Sequence, residues 1–255
     1  MKSKPSCPII SEKHKVVTCM AKISVTLSAN AGVAIVFDDC RVWVDALHTQ
    51  KQNGFSALTP QLQSRMLGCE AFFAPDYICA SHCHPDHYSK ELTAKAKQLW
   101  PKAKLFLPEC EFEDQVLVEG NSYTFTDGNL KMEFIRLPHE GAQYANVKHY
   151  GLLLQKADIC ILLAGDCATA SPALAQALQG RKVDLAILDF PWVTLGKGRE
   201  FVQKFLQPKH LLVCHLPFEE DDICGYRQAA KKSVDALSQQ MDVRLLWNPL
   251  QTERI

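Results

Sequence analysis

The sequence predicts an α/β (α+β) fold of two β-sheets covered by helices, and three observations predict it. Strand-like runs come first, and mixed strand and helix follow. That order of elements returns in the second half of the chain, as expected of two layered sheets. Hydrophobic residues make up 47% and charged residues 22% of the 255 residues, an ordinary globular balance with enough material for a core. No sequence repeat, low-complexity tract or Pro/Gly/Ser-rich linker divides the chain. Residues 15–255 therefore read as one domain behind a loose lead-in of residues 1–14.

The first β-rich stretch runs from Lys15 to Asp45. Ile23-Ser24-Val25-Thr26-Leu27 alternates with period two, and residues 32–37 and 41–44 are short apolar runs separated by an Asp38-Asp39 turn. Residues 59–69 predict a helix with Pro60 at its first position. A strand at 77–80, a helix at 89–99 and a strand at 104–107 follow. Alternation returns over 116–137, where turn residues at 119–121 and 126–129 predict antiparallel hairpins. In the second half, strands are expected at 150–154 and 159–163 around a turn at 156–158. A helix at 172–178, a strand at 185–188, a loop at 189–196, a helix at 199–206 and a strand at 211–213 come next. An amphipathic helix at 226–239 and a last strand at 243–246 close the pattern. Phe72-Phe73 and the pair Phe201 and Phe205 are candidate core residues.

Charge and cysteine usage exclude several classes. Lys plus Arg and Asp plus Glu both number 28, so the formal net charge is 28 − 28 = 0. A nucleic-acid binder needs a cationic surplus to displace phosphate counterions, so nucleic acid is not an expected partner. No apolar run approaches the ~18 residues of a membrane span, and no apolar segment follows the charged start of the chain as a secretion signal requires. The eleven cysteines are odd in number, scattered and without a CxxC pair, and several sit in apolar runs. Buried free thiols of this kind fit a reducing cytoplasm better than a disulfide framework.

Chemistry concentrates in Ser81-His82-Cys83-His84-Pro85-Asp86-His87, between an apolar strand and a helix. Four metal-capable side chains within six residues leave one strand end, so His82 and His84 can converge on one ion and Asp86 and His87 can swing toward a second. Imidazole and carboxylate suit Zn²⁺ or a similar divalent ion. Further along, Asp45, His139, Asp166 and His215 each stand where an apolar run ends, and each could point from a sheet edge into a shared cleft.

The 82–87 segment carries the HxHxDH signature and resembles the metallo-β-lactamase-fold hydrolases. The likeness covers most of the chain, because Asp45 in Val42-Trp43-Val44-Asp45, His139 after Leu137-Pro138, the Gly165-Asp166 pair and His215 after Leu212-Val213-Cys214 follow in the family's order. The resemblance implies a four-layer αβ/βα sandwich. It implies a first metal on His82, His84 and His139, a second on Asp86, His87 and His215, Asp166 bridging them, and Asp45 orienting a ligand. Two such ions, about 3.5–4 Å apart, make hydroxide from a shared water at neutral pH and polarise the bond to be broken. Asp86 would orient that nucleophile. The implied activity is metal-dependent hydrolysis of a lactone, phosphoester or similar ester-type bond in a small molecule, with Zn expected and Mn or Fe as alternatives.

His84 stands where flavodiiron-type reductases carry Glu. The chain also has no room for their flavodoxin domain or for the insertion of β-CASP nucleases, so a compact branch that includes L-ascorbate-6-phosphate lactonase is the nearest likeness. Looser similarity at Asn30-Ala31-Gly32-Val33 and at 189–196 supports it. His48, Lys197 and Arg199 are candidate substrate-binding residues, with a plain surface or loop role as the alternative for each. A scaffold or sensor without turnover, and a ribonuclease or phosphodiesterase, are the alternative functions, and the sequence leaves a homo-oligomer open.

Overall fold

The computed structural model describes residues 23–255 apart from Asp38 and Asn53. The lead-in of residues 1–14, the stretch from Lys15 to Lys22 and Asp38 of the expected turn lie outside the described residues.

Short apolar and alternating runs organise the chain into two seven-stranded mixed sheets. In the first, β1 (Ser24–Leu27), β2 (Val33–Phe37) and β3 (Cys40–Val44) form an antiparallel meander. Then β4 (Tyr77–Cys79), β5 (Lys104–Leu107) and β6 (Val116–Leu117) extend it in parallel. The second repeats the plan. Its antiparallel part is β7 (Ser122–Asp127), β8 (Leu130–Arg136), β9 (Tyr150–Lys156) and β10 (Ile159–Leu163). Its parallel part adds β11 (Leu185–Asp189), β12 (His210–Cys214) and β13 (Asp242–Leu245). A final strand, β14 (Thr252–Arg254), returns to pair with β1.

Each parallel crossover needs a covering element, and helices supply most of them. They are α1 (Pro60–Leu67), α2 (Lys90–Leu99), α3 (Pro172–Leu178), α4 (Pro191–Thr194), α5 (Gly196–Phe201) and α6 (Tyr226–Leu237). Thr59 and Ser89 cap α1 and α2 by accepting from Leu62 N–H and Leu92 N–H at 3.2 and 3.3 Å. Strands of the second sheet are apolar on both faces because both are covered. Leu152, Leu154, Ile161, Leu163, Ile187 and Leu212 join the core between the sheets. The alternate residues Leu153, Leu162, Ala186, Leu188, Leu211 and Val213 pack with Leu174, Leu178, Val234 and Leu237 of α3 and α6. The architecture is the expected αβ/βα sandwich, two mixed sheets flanked by helices.

Some expectations need correction. The Glu119-Gly120-Asn121 turn closes no hairpin: β6 pairs in parallel with β5, and the chain then crosses to the second sheet, leaving β7 and β8 as the hairpin. The strand at 243–246 is not the last, because β14 follows it; its three residues are all polar and carry no apolar period. The expected 189–196 loop is largely α4, with Trp192 fully buried against the second sheet. The helix expected at 199–206 begins at Gly196 and ends in a π-helical turn, Val202–Leu206. Phe72 is core, whereas Phe73 and Phe205 are exposed.

Candidate metal centre

All the candidate ligands follow the carboxyl ends of strands, where α/β sheets place their sites. Asp45 follows β3 and the 82–87 turn follows β4 from the first sheet; His139, Asp166 and His215 follow β8, β10 and β12 from the second. His87 and Tyr88 N–H both donate to the His84 carbonyl, at 3.0 and 2.9 Å, closing the turn on itself. Tyr150 N–H donates to the Ser81 carbonyl at 2.9 Å and ties the two sheets beside it. Asp45, Gly165 and His215 have φ of +52°, +54° and +56°. Left-handed backbone at a non-glycine residue costs of order 1–3 kcal/mol and collects at functional sites.

Ligand atoms converge in three overlapping groups, each within 4.8 Å: His82, His84 and His139; His82, His87 and Asp166; Asp86, His87 and His215. Asp166 stands between them. Its Oδ2 lies 3.6 Å from His139 Nε2 and 4.0 Å from His82 Nε2, and its Oδ1 lies 3.2 Å from His87 Nε2 and 3.7 Å from His215 Nε2. His215 Nε2 is also 3.7 Å from Asp86 Oδ2.

The surrounding hydrogen bonds turn the rings inward. Asp45 accepts from Ser81 N–H and Ser81 Oγ–H, each at 2.7 Å, and its Oδ2 lies 3.0 Å from His87 Nδ1. With the Ser81 hydroxyl donating to Asp45, His82 Nδ1–H donates to Ser81 Oγ at 2.9 Å. His139 Nδ1–H donates to the Glu140 carbonyl at 2.7 Å. Each of these bonds leaves the Nε2 of its ring free toward the cluster, the arrangement that fixes the tautomer of a metal-ligating imidazole.

The residues fit a pair of divalent cations. His139 Nε2, Asp86 Oδ1 and Asp166 Oδ1 are buried polar atoms without a hydrogen-bond partner, and orphaned groups of this kind are costly unless something else satisfies them. The charges agree. Burial opposes a proton on His87, but Asp166 and Asp45 outweigh it and raise its pKa well above the ordinary value. Burial works against ionised Asp166 too, yet His87 and His215 hold it well below its ordinary range. Asp166 and Asp45 thus favour a positive charge beside them, a proton on His87 or a cation in its place. Burial drives His82 the other way and keeps it neutral, as a ligand must be.

The structure separates the remaining sequence candidates. His48 is not on a surface loop: it is fully buried, 3.2 Å from the Ala29 carbonyl, and burial pushes its pKa down to about 4. Arg199 lies on α5, and its guanidinium donates to the Val193 and Thr194 carbonyls at 3.1 and 2.6 Å, capping α4 instead of reaching the site. Lys197 is exposed, 3.7 Å from Glu140, the residue after the candidate ligand His139. Glu140 itself holds the Asp166 loop, its N–H donating to the Asp166 carbonyl and its carboxylate accepting from Thr169 N–H.

Sequence reasoning missed the role of Ser81, which couples Asp45 to His82, and it missed Phe55, though Tyr144 stood out for its place shortly after His139. Tyr144 lies 4.7 Å from His139 and 4.9 Å from His84, and Phe55 lies 4.2 Å from His215, between ring centroids. A serine beside the motif was a readable signal; Phe55, far away on a loop without period, was not.

Residues 17–191 match the beta-lactamase superfamily domain. No curated protein matches the sequence. Among solved structures, an isothiocyanate hydrolase from Delia radicum gut bacteria is 16% identical, with a TM-score of 0.65 over 90% of this chain and 98% of that one. The metallo-beta-lactamase fold protein YhfI from Bacillus subtilis is 13% identical, with a TM-score of 0.60 over 92% and 100%. CmlA, a diiron beta-hydroxylase from Streptomyces venezuelae, is 14% identical, with a TM-score of 0.64 over 91% of this chain, which spans 54% of its length. At these identities the likeness is one of fold.

Proposed function

The chain belongs to the beta-lactamase superfamily, and from that premise we propose that it is a hydrolase dependent on two divalent metal ions, cleaving an ester-type bond such as a lactone or phosphoester in a small molecule. The observation that carries this reading is the Asp166 carboxylate, with one oxygen toward His82 and His139 and the other toward His87 and His215. His82, His84 and His139 would hold one ion and Asp86, His87 and His215 the other, with Asp166 shared. When bound, the ions supply Lewis acidity and an acidified water near neutral pH.

The chain's own groups do the rest. Asp86 keeps one carboxylate oxygen free of hydrogen bonds, and that oxygen orients the attacking water and takes its proton. Asp45 holds His87, and through Ser81 also His82, so that neither ring turns during the reaction. Zinc is the proposed metal because imidazole nitrogen dominates the ligand set. A reducing, cytoplasmic setting is proposed from the nine cysteines of the described residues, all free.

Metal analysis by mass spectrometry, joined to a screen of aryl esters, small lactones (phosphorylated ones included) and aryl phosphodiesters, tests the reading. Up to two equivalents of metal and hydrolysis abolished by chelation are expected. Full activity retained in His84→Ala would overturn it.

A further inference from the structure

We infer that the substrate carries a flat aromatic group, and that Phe55, Phe190 and Tyr226 form the wall that receives it. This rests on the hydrolase reading above and names its substrate class. The three rings come from three separate segments: the loop after β3, the residue before α4, and the first turn of α6. Phe55 and Tyr226 stack at 6.0 Å with 20° between planes, Phe190 and Tyr226 lie 4.8 Å apart, and Phe55 sits 4.2 Å from the His215 imidazole. All three are half-buried, unlike Phe72, Phe106 and Phe134, which fill the core. Across the cluster Tyr144 faces His84 and His139, so rings bracket the metal centre on both sides. Apolar walls around a few convergent polar groups are the usual make-up of a small-molecule site.

The wall is held rigid before anything binds. Ser56, next to Phe55, donates its N–H to Asn30 Oδ1 at 2.9 Å and its hydroxyl to Asp221 at 2.8 Å, and its Oγ accepts from Phe218 N–H at 2.7 Å. The Asn30 side-chain amide returns a bond to the Ser56 carbonyl, and the Asn30 carbonyl accepts from His215 N–H at 2.9 Å. One buried asparagine therefore sets the Phe55 loop and the ligand His215 in a common frame, and such preorganisation is what gives a ring its binding strength.

Saturation-transfer NMR on the full-length protein tests this, with acetanilide as a neutral aromatic probe and N-methylacetamide as its aliphatic control. Both metal-loaded and chelator-treated protein are measured. Transfer to the acetanilide ring is expected in both states, several-fold above the control. Phe55→Ala and Tyr226→Ala should each weaken it about tenfold, the scale of a lost aromatic contact with its buried area, while Phe55→Leu retains part. With phenyl acetate and ethyl acetate as substrates, Phe55→Ala should lower kcat/KM several-fold more for the aryl ester than for the alkyl ester. Equal transfer to both probes, or transfer unaltered in both alanine variants, would overturn the inference. Retained transfer in a protein that hydrolyses no ester would overturn the proposed function and leave the wall standing; ester hydrolysis without transfer would do the reverse.

Discussion

The two sheets build their halves of the proposed metal centre by different means. The first supplies His82, His84, Asp86 and His87 from a single turn closed on the His84 carbonyl, with Asp45 one strand away. The second supplies three isolated residues from three strand ends, each held by backbone bonds to distant chain: Glu140 N–H to the Asp166 carbonyl, His215 N–H to the Asn30 carbonyl, and Ala168 N–H to the Pro138 carbonyl. One half is fixed by local chain geometry and the other by tertiary structure. Damage to a local turn spreads over several ligands at once. Damage to a distal loop should remove one ligand, unless that ligand is Asp166.

Asp166 is the strongest test of that contrast, because it serves both groups. Asp166→Ala should lower hydrolysis by about 10³-fold or more, as removal of a principal electrostatic group does, and should reduce bound metal well below two equivalents by mass spectrometry. Loss of one equivalent with activity preserved would show that the carboxylate does not join the two groups. Next in size comes Asp45→Asn, which weakens the hold on His87 and on the Ser81 bridge to His82 together. Metal affinity should fall about 10–100-fold, the usual cost of losing such an orienting partner, measured by competition with a chelator.

Backbone effects should favour the distal half. Gly165 has φ +54°, and a Cβ there would stand 2.7 Å from His149 Nε2 and 3.0 Å from Ser81 Cβ. Gly165→Ala should destabilise the protein by about 1–3 kcal/mol through strain and overpacking, read from the denaturation midpoint. His149, pressed against that glycine, adds a pH signature. Burial lowers its pKa from 6.5 to about 4. Below pH 6.5 the unfolded chain takes up a proton that the folded chain refuses until about pH 4. Its contribution is therefore present in full above 6.5 and is lost as pH falls toward 4. His149→Asn should make the acid side of the stability curve shallower, as followed by urea titration across that range.

What the sequence makes legible follows the same division. The 82–87 turn can be read directly because its ligands are adjacent and their spacing is itself the chemistry. Asp45, His139, Asp166 and His215 can be ordered only by resemblance, since a lone polar residue at a strand end carries no period and its partner lies up to 128 positions away, as for His87 and His215. Short continuous apolar runs bounded by polar or turn residues emerge near their true bounds, β5 and β10 among them. β14 does not, because three exposed or half-exposed residues earn their structure only by pairing with β1. The long-range role of Asn30 and the aromatic wall are likewise invisible: both depend on which loops meet.

The smallest expected effect separates two neighbours that the sequence treats alike. Lys197 and Arg199 are both cations on one short segment, and both are candidates for holding a substrate anion. In the fold they lie on α5 with different partners: Lys197 with Glu140 beside the metal centre, Arg199 with the carbonyls that end α4. Arg199→Ala removes hydrogen bonds from a charged donor to exposed-end carbonyls, worth about 0.5–1.5 kcal/mol net, and should lower the denaturation midpoint slightly with kcat/KM unchanged. Lys197→Ala breaks a loose pair in which the lysine is half-exposed, so its stability should hardly move. The freed Glu140 stands closer to the substrate path and should make the site less tolerant of anions, seen as a higher KM for a carboxylate-bearing ester than for its neutral counterpart. If Arg199→Ala instead abolished turnover at full stability, the helix-capping role would be secondary, and the distal sheet would supply a substrate contact as well as its three ligands.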